Sequence, residues 1–122
     1  VDPWGPAAKL FTTEVLNAGI GFYVQSDPDL GYTETYGRHL GLVWVNMGDT
    51  PVTINIKNDA GQVLRTVELS GWILLNYHLI LNGFSYNYYS SKSKLIFGNR
   101  HIYRYFQDAQ LYAEQNGYGI HE

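Results

Sequence analysis

The sequence predicts a mainly β fold. It is expected to be a single antiparallel β-sandwich or barrel, of jelly-roll or Greek-key type, with about eight short strands and a short helix near each end. Three observations carry the prediction. Residues 52–57 alternate, with Val52, Ile54 and Ile56 on one face and Thr53, Asn55 and Lys57 on the other, as a half-buried strand does. Turn signals recur at short intervals from Ile20 to Phe106. No long helical segment separates the apolar runs, which argues against a parallel α/β sheet.

Along the chain, residues 1–6 (Val-Asp-Pro-Trp-Gly-Pro) form an extended arm, with Trp4 as an anchor for a groove on its own domain or on a neighbour. Residues 7–18 place Ala7, Leu10, Phe11, Glu14, Val15 and Ala18 on one helical face between Pro6 and Gly19. Phe11-Thr12-Thr13 and Val15 also suit a strand. The helix is the preferred reading. Ile20–Gln25 is a strand and 26–37 a loop. Leu40–Asn46 is apolar enough to be a central strand, and Met47–Pro51 is a turn. After Val52–Lys57, Asn58-Asp59-Ala60-Gly61 closes a hairpin. Gln62–Leu69 returns with Val63, Val67 and Leu69 inward. Leu64 breaks the alternation, which implies a bulge or a second buried face.

Trp72–Leu81 is read as a long strand buried on both faces. Asn82-Gly83 is read as a two-residue hairpin turn returning into Phe84–Ser90. Leu95–Phe97 and His101–Phe106 supply the last strands. Gln107–Gln115 is helical, stopped by Asn116-Gly117, and 116–122 is a loose tail. No linker or repeat divides the chain, so 1–122 is one domain.

Composition narrows the chemistry. The chain has no cysteine, which excludes disulfides and thiolate metal sites. Only 16% of residues are charged, against roughly a quarter in an average domain, and the net charge is −3. Solubility therefore rests on neutral polar groups, which cost little to desolvate at an interface. Aromatics reach 16%, with 11 tyrosines. No apolar run approaches the ~20 residues of a membrane span. The first residues lack the pattern of a signal peptide, so the expectation is a protein used inside the cell or in a virion, or one whose leader has been removed.

No motif carries catalysis. The four histidines (His39, His78, His101 and His121) show no metal-ligand spacing, and His78 reads as a hydrogen-bonding residue in an apolar strand. Asp27, Asp29 and Glu34 share a loop in which paired carboxylates could do glycosidase work. A solvated Asp27-Pro28-Asp29 turn is the simpler reading. A hydrolase using that loop with His39 is a remote alternative. No phosphate loop, nucleophile elbow or complete dinucleotide motif is present. No cofactor and no metal are expected.

The notable stretch is 84–106, FSYNYYSSKSKLIFGNRHIYRYF. It holds four cations and no acid, while the rest of the chain has four cations against eleven acids. Its strand pattern sets Phe84, Tyr86 and Tyr88 against Tyr89, and Ile102, Arg104 and Phe106 against His101, Tyr103 and Tyr105. One set is core and the other is exposed. The candidate binding residues are Tyr89, Lys92, Lys94, Arg100, Tyr103, Arg104 and Tyr105, with Trp4 from the arm. Tyrosine and arginine dominate protein interfaces, so a protein partner or a second copy is the leading expectation. Nucleic acid is disfavoured by the overall acidity. The expected function is a non-catalytic assembly or interaction module. By fold-level analogy it is a small subunit of a larger particle, such as a capsid vertex, decoration or spike protein. The alternative is a glycan-binding module, with tyrosines and Trp44 or Trp72 lining a sugar groove. Both tryptophans are expected in the core.

Overall fold

The computed structural model describes residues 4–30, 41–89 and 91–122. The arm's first three residues, the loop after residue 30, Leu40 and Ser90 lie outside the described residues. Among those described there are three helices and seven strands, 38% helix and 30% strand, with the strands in small separate sheets. The expected sandwich or barrel is therefore incorrect. The strands form three antiparallel groups: three-stranded, two-stranded and two-stranded.

Helix α1 spans Gly5–Ala18, with Ala7, Phe11 and Val15 on its buried face. It starts inside the expected arm, because Pro6 falls where a helix has no use for the missing N–H. The side chain of Asp59 accepts a hydrogen bond from the free Ala7 N–H at 3.2 Å, supplying from a distant loop the cap that Trp4 lacks. Trp4 itself is buried, its ring 6.4 Å from that of Phe84.

Strands β1 (Gly21–Ser26), β2 (Gly41–Asn46) and β5 (Trp72–Leu74) form the main sheet in the order β1-β2-β5. Between them, β3 (Val52–Lys57) and β4 (Val63–Leu69) make the expected hairpin. Its register shifts at Ile56/Lys57, so Leu64 sits at a bulge and is exposed. Val63, expected inward, is exposed beside it.

The main sheet is a wall between two cores. Val45 and Ile73 point into one, with Phe11 and Val15 of α1, Ile54 and Ile56 of β3, and Phe84. Leu42 and Leu74 point into the other. Burial on both faces explains why β2 is almost uninterruptedly apolar.

The long strand expected over Trp72–Leu81 ends at Leu74. Residues Leu75–Leu81 form α2. Leu75 and Ile80 are buried, and Leu79 packs against the first core. That spacing suits a helical face and not an alternating strand. Asn76 makes the switch possible. Its Oδ1 accepts from the Val43 N–H at 2.8 Å and its Nδ2 donates to the Gly41 carbonyl at 2.9 Å. One side-chain amide thus occupies the ladder position beside β2 that β5 has vacated.

Asn82-Gly83 is a helix stop and not a hairpin. Gly83 has φ +77°, its N–H donates to the Ile80 carbonyl, and the Phe84 N–H reaches back to Leu79. Gly117 repeats this geometry: φ +63°, with Gly117 bonded to Glu114 and Tyr118 to Ala113. Of the strand expected over Phe84–Ser90, the described residues 84–89 are irregular chain.

Strands β6 (Ile96–Phe97) and β7 (Arg100–His101) form a minimal hairpin. The strand expected over 101–106 is instead the start of α3, Ile102–Asn116. Its buried residues Ile102, Phe106, Ala109 and Ala113 recur at helical spacing, and Ile102, Phe106 and Ala109 build the second core with Leu42, Leu74 and Ile80 of α2. The tail expected to be loose turns back as a 3₁₀ turn, Gly119–His121, and the Ile120 N–H donates to the Gly83 carbonyl at 2.9 Å.

Candidate interaction surface

The tyrosine–cation stretch does not form one surface. A strand would place Tyr103 and Tyr105 together, whereas two residues on a helix diverge by about 200°. Tyr103 stacks on His101 with centroids 5.7 Å apart, and the Arg104 guanidinium lies 5.6 Å from its ring. Tyr105 faces β6, where its hydroxyl donates to the Phe97 carbonyl at 2.9 Å. Arg100 sits 4.9 Å from the Tyr105 ring and pairs with Asp108 at 2.9 Å. Both partners of that ion pair are well exposed, so it adds little to stability. Lys92 and Lys94 are exposed. Trp4, at 7% exposure, offers little to a partner.

Tyr89, expected among the exposed rings, is half-buried and stacked on Phe106 at 4.8 Å. Its hydroxyl and that of Ser93 both donate to Asp27 Oδ2, and the Asp29 N–H donates to Asp27 Oδ1 at 3.0 Å. Asp27 is 1% exposed, so the expected solvated turn is a buried carboxylate. Burial pushes its pKa up, but the three donors outweigh that and hold it below the ordinary value of 3.8. Burial and the neighbouring Asp27 raise the Tyr89 hydroxyl well above the usual tyrosine range. This cluster fastens the irregular segment to the end of β1. Lys94 adds a second fastening, its N–H donating to Asp29 Oδ2 at 2.8 Å. Glu34 and His39 lie outside the described residues. Among those described, no three His, Asp or Glu side chains gather as a metal-binding group.

The surface that does stand out was not singled out by sequence. Register places Tyr23, Trp44 and Leu74 on one face of the main sheet, with Gly21, Asn46 and Trp72 beside them. Helices α2 and α3 cover this face at Leu42 and Leu74 and leave the rest open. Trp72, expected in the core, is 55% exposed. Trp44 is half-buried; its Nε1 donates to Gln25 Oε1 at 3.0 Å and its ring lies 5.4 Å from Phe97. Phe22, Tyr23, Gln25, Trp44, Trp72 and Phe97 line an open groove of about 540 Å³, none of them charged. It continues toward Tyr77, His78 and Tyr105 in a second hollow of about 310 Å³.

Strand β1 is the extreme case. Phe22, Tyr23 and Val24 are 56%, 58% and 66% exposed, and Ile20 just before it is 72% exposed. Alternate residues point to opposite faces, so β1 is bare on both. A ring of about 200 Å² half left in water, taken over Phe22, Tyr23, Trp72 and Phe97 and joined by Ile20 and Val24, leaves roughly 600 Å² of apolar surface. Summed over both faces, that is comparable to the largest single patch on an ordinary monomer.

No protein-family model and no curated protein matches this sequence. Among the described residues no helix is long and apolar enough to cross a membrane.

Proposed function

We propose that the protein is a non-catalytic interaction module that associates with copies of itself through the exposed apolar surface centred on β1. The observation that carries this reading is Ile20, Phe22, Tyr23 and Val24, each more than half exposed, just before and along a strand without a charged residue. Edge strands usually carry lysine, proline or inward charges that discourage pairing; Gly-Phe-Tyr-Val-Gln-Ser has none. The analogy with capsid subunits loses the support that a sandwich gave it. Glycan binding draws less support than self-association. The Gln25 carbonyl is engaged by Trp44, and the Tyr105 hydroxyl by Phe97, which leaves few groups to read sugar hydroxyls.

Sedimentation equilibrium from micromolar to hundreds of micromolar protein tests the reading. The wild type should show reversible association, and the Phe22→Ser/Tyr23→Ser double variant should sediment as a monomer with an unchanged circular dichroism spectrum. A wild type that stays monomeric throughout would refute the proposal. Retention of that monomer on an immobilised polysaccharide would favour the glycan reading.

A further inference from the structure

We infer that the self-association proposed above, on which this inference rests, occurs by antiparallel pairing of β1 with β1 of a second copy. A continuous sheet of order β5-β2-β1-β1-β2-β5 would result. Among the described residues β1 has a single strand neighbour, β2, and one edge of its backbone has no ladder partner among them. Alternate N–H and C=O groups on that edge point away from β2.

The distribution of exposed side chains selects edge pairing over stacking of two sheet faces. Tyr23 lies on the same face as Trp44 and Trp72, while Phe22 and Val24 lie on the opposite face with Val45 and Val43. A partner laid on the aromatic face would cover Tyr23 and the edge of Phe22 that lines the groove, and leave Val24 and Ile20 in water. Only a strand beside β1 covers both sides at once, as in β-augmentation. A two-fold axis normal to the sheet keeps like faces together, so one six-residue strand is its own complement. The apolar area covered, roughly 400 Å² a copy from Ile20, Phe22, Tyr23 and Val24, falls below the ~800 Å² per partner of stable complexes. The dimer is accordingly a reversible one, formed at micromolar to high-micromolar concentration.

Two substitutions separate this arrangement from its rival. Val24→Lys puts like charges across the two-fold axis on a side chain already exposed in the monomer. Trp72→Ser alters the aromatic face from β5, two strands from the proposed edge, although its ring reaches over Gly21 of β1. Sedimentation equilibrium should show dimerisation weakened at least tenfold by Val24→Lys and changed less than twofold by Trp72→Ser. Hydrogen exchange should slow at alternate β1 amides as protein concentration rises. If Trp72→Ser abolishes the dimer and Val24→Lys leaves it intact, the faces stack; edge pairing is then wrong while self-association stands. If no concentration yields a dimer, both fall.

Discussion

The buried Asp27 carboxylate offers the sharpest test of how the irregular segment is held. Tyr89→Phe removes one hydroxyl and leaves the ring on Phe106, so it deletes a single hydrogen bond to a buried charge. Such bonds contribute about 1.5–3 kcal/mol. Ser93→Ala deletes the second and also removes the acceptor of the Leu95 N–H at 3.1 Å, so its cost is at least as large. Asp27→Ala leaves two hydroxyls and the Asp29 N–H without their acceptor, and the expected loss is about 4 kcal/mol at neutral pH. Urea unfolding followed by tryptophan fluorescence and far-ultraviolet circular dichroism measures each. Because the hydroxyls share one oxygen, the Tyr89→Phe/Ser93→Ala double variant should depart from additivity by at least ~0.5 kcal/mol. Acid should act in the same direction. The carboxylate pKa is depressed in the fold, so its contribution is whole above about 3.8 and disappears as pH falls through the folded value. An Asp27→Ala protein within ~0.5 kcal/mol of wild type would show that the cluster is incidental and that the segment is held elsewhere.

Two further predictions concern stability. Burial lowers His78 to about 4 from 6.5, so the fold keeps it neutral while the unfolded chain takes up a proton below 6.5. Stability should therefore fall between pH 6.5 and 4, by at most about 3 kcal/mol from this residue. Urea titrations at several pH values should show that slope reduced in His78→Leu. Gly83 and Gly61 have similar φ, +77° and +82°, but a β-carbon at Gly83 would lie 2.1 Å from the Tyr118 carbonyl oxygen, while one at Gly61 meets nothing within 4 Å. Gly61→Ala should cost about 1 kcal/mol and Gly83→Ala roughly 3 kcal/mol or more, read from thermal unfolding. Equal costs would mean that the crossing at Gly83 relaxes freely.

How much of this was legible in the sequence depended on how far a local pattern had to reach. The β3–β4 hairpin and its bulge at Leu64 follow from alternation broken at one residue, a signal confined to neighbours. The two Asn-Gly pairs show the limit. They have the same letters and the same left-handed glycine, and both end helices. The first reads as a hairpin because Trp72–Leu81 is almost uniformly apolar, and an apolar run on the wall between two cores has no period to read. In 101–106, six residues fit periods of two and of 3.6 equally well, and only Ala109 and Ala113 downstream decide for a helix. That choice dispersed the expected tyrosine surface, because Tyr103 and Tyr105 leave a helix in different directions. Asp27 reads as solvated because nothing near it in sequence announces Tyr89 and Ser93. The surface around β1 was missed for the opposite reason. Apolar residues on a strand read as buried by default, and nothing in Phe22-Tyr23-Val24 says that, among the described residues, no further strand pairs with β1.

The wall between the two cores has a thermodynamic consequence. On β2, Leu42 and Val45 serve opposite compartments, so the chain cannot melt either one without disturbing the strand that lines the other. Helix α2 adds to this bond, with Leu75 in the first compartment and Ile80 in the second. The compartments should therefore lose their structure together, in a single cooperative transition.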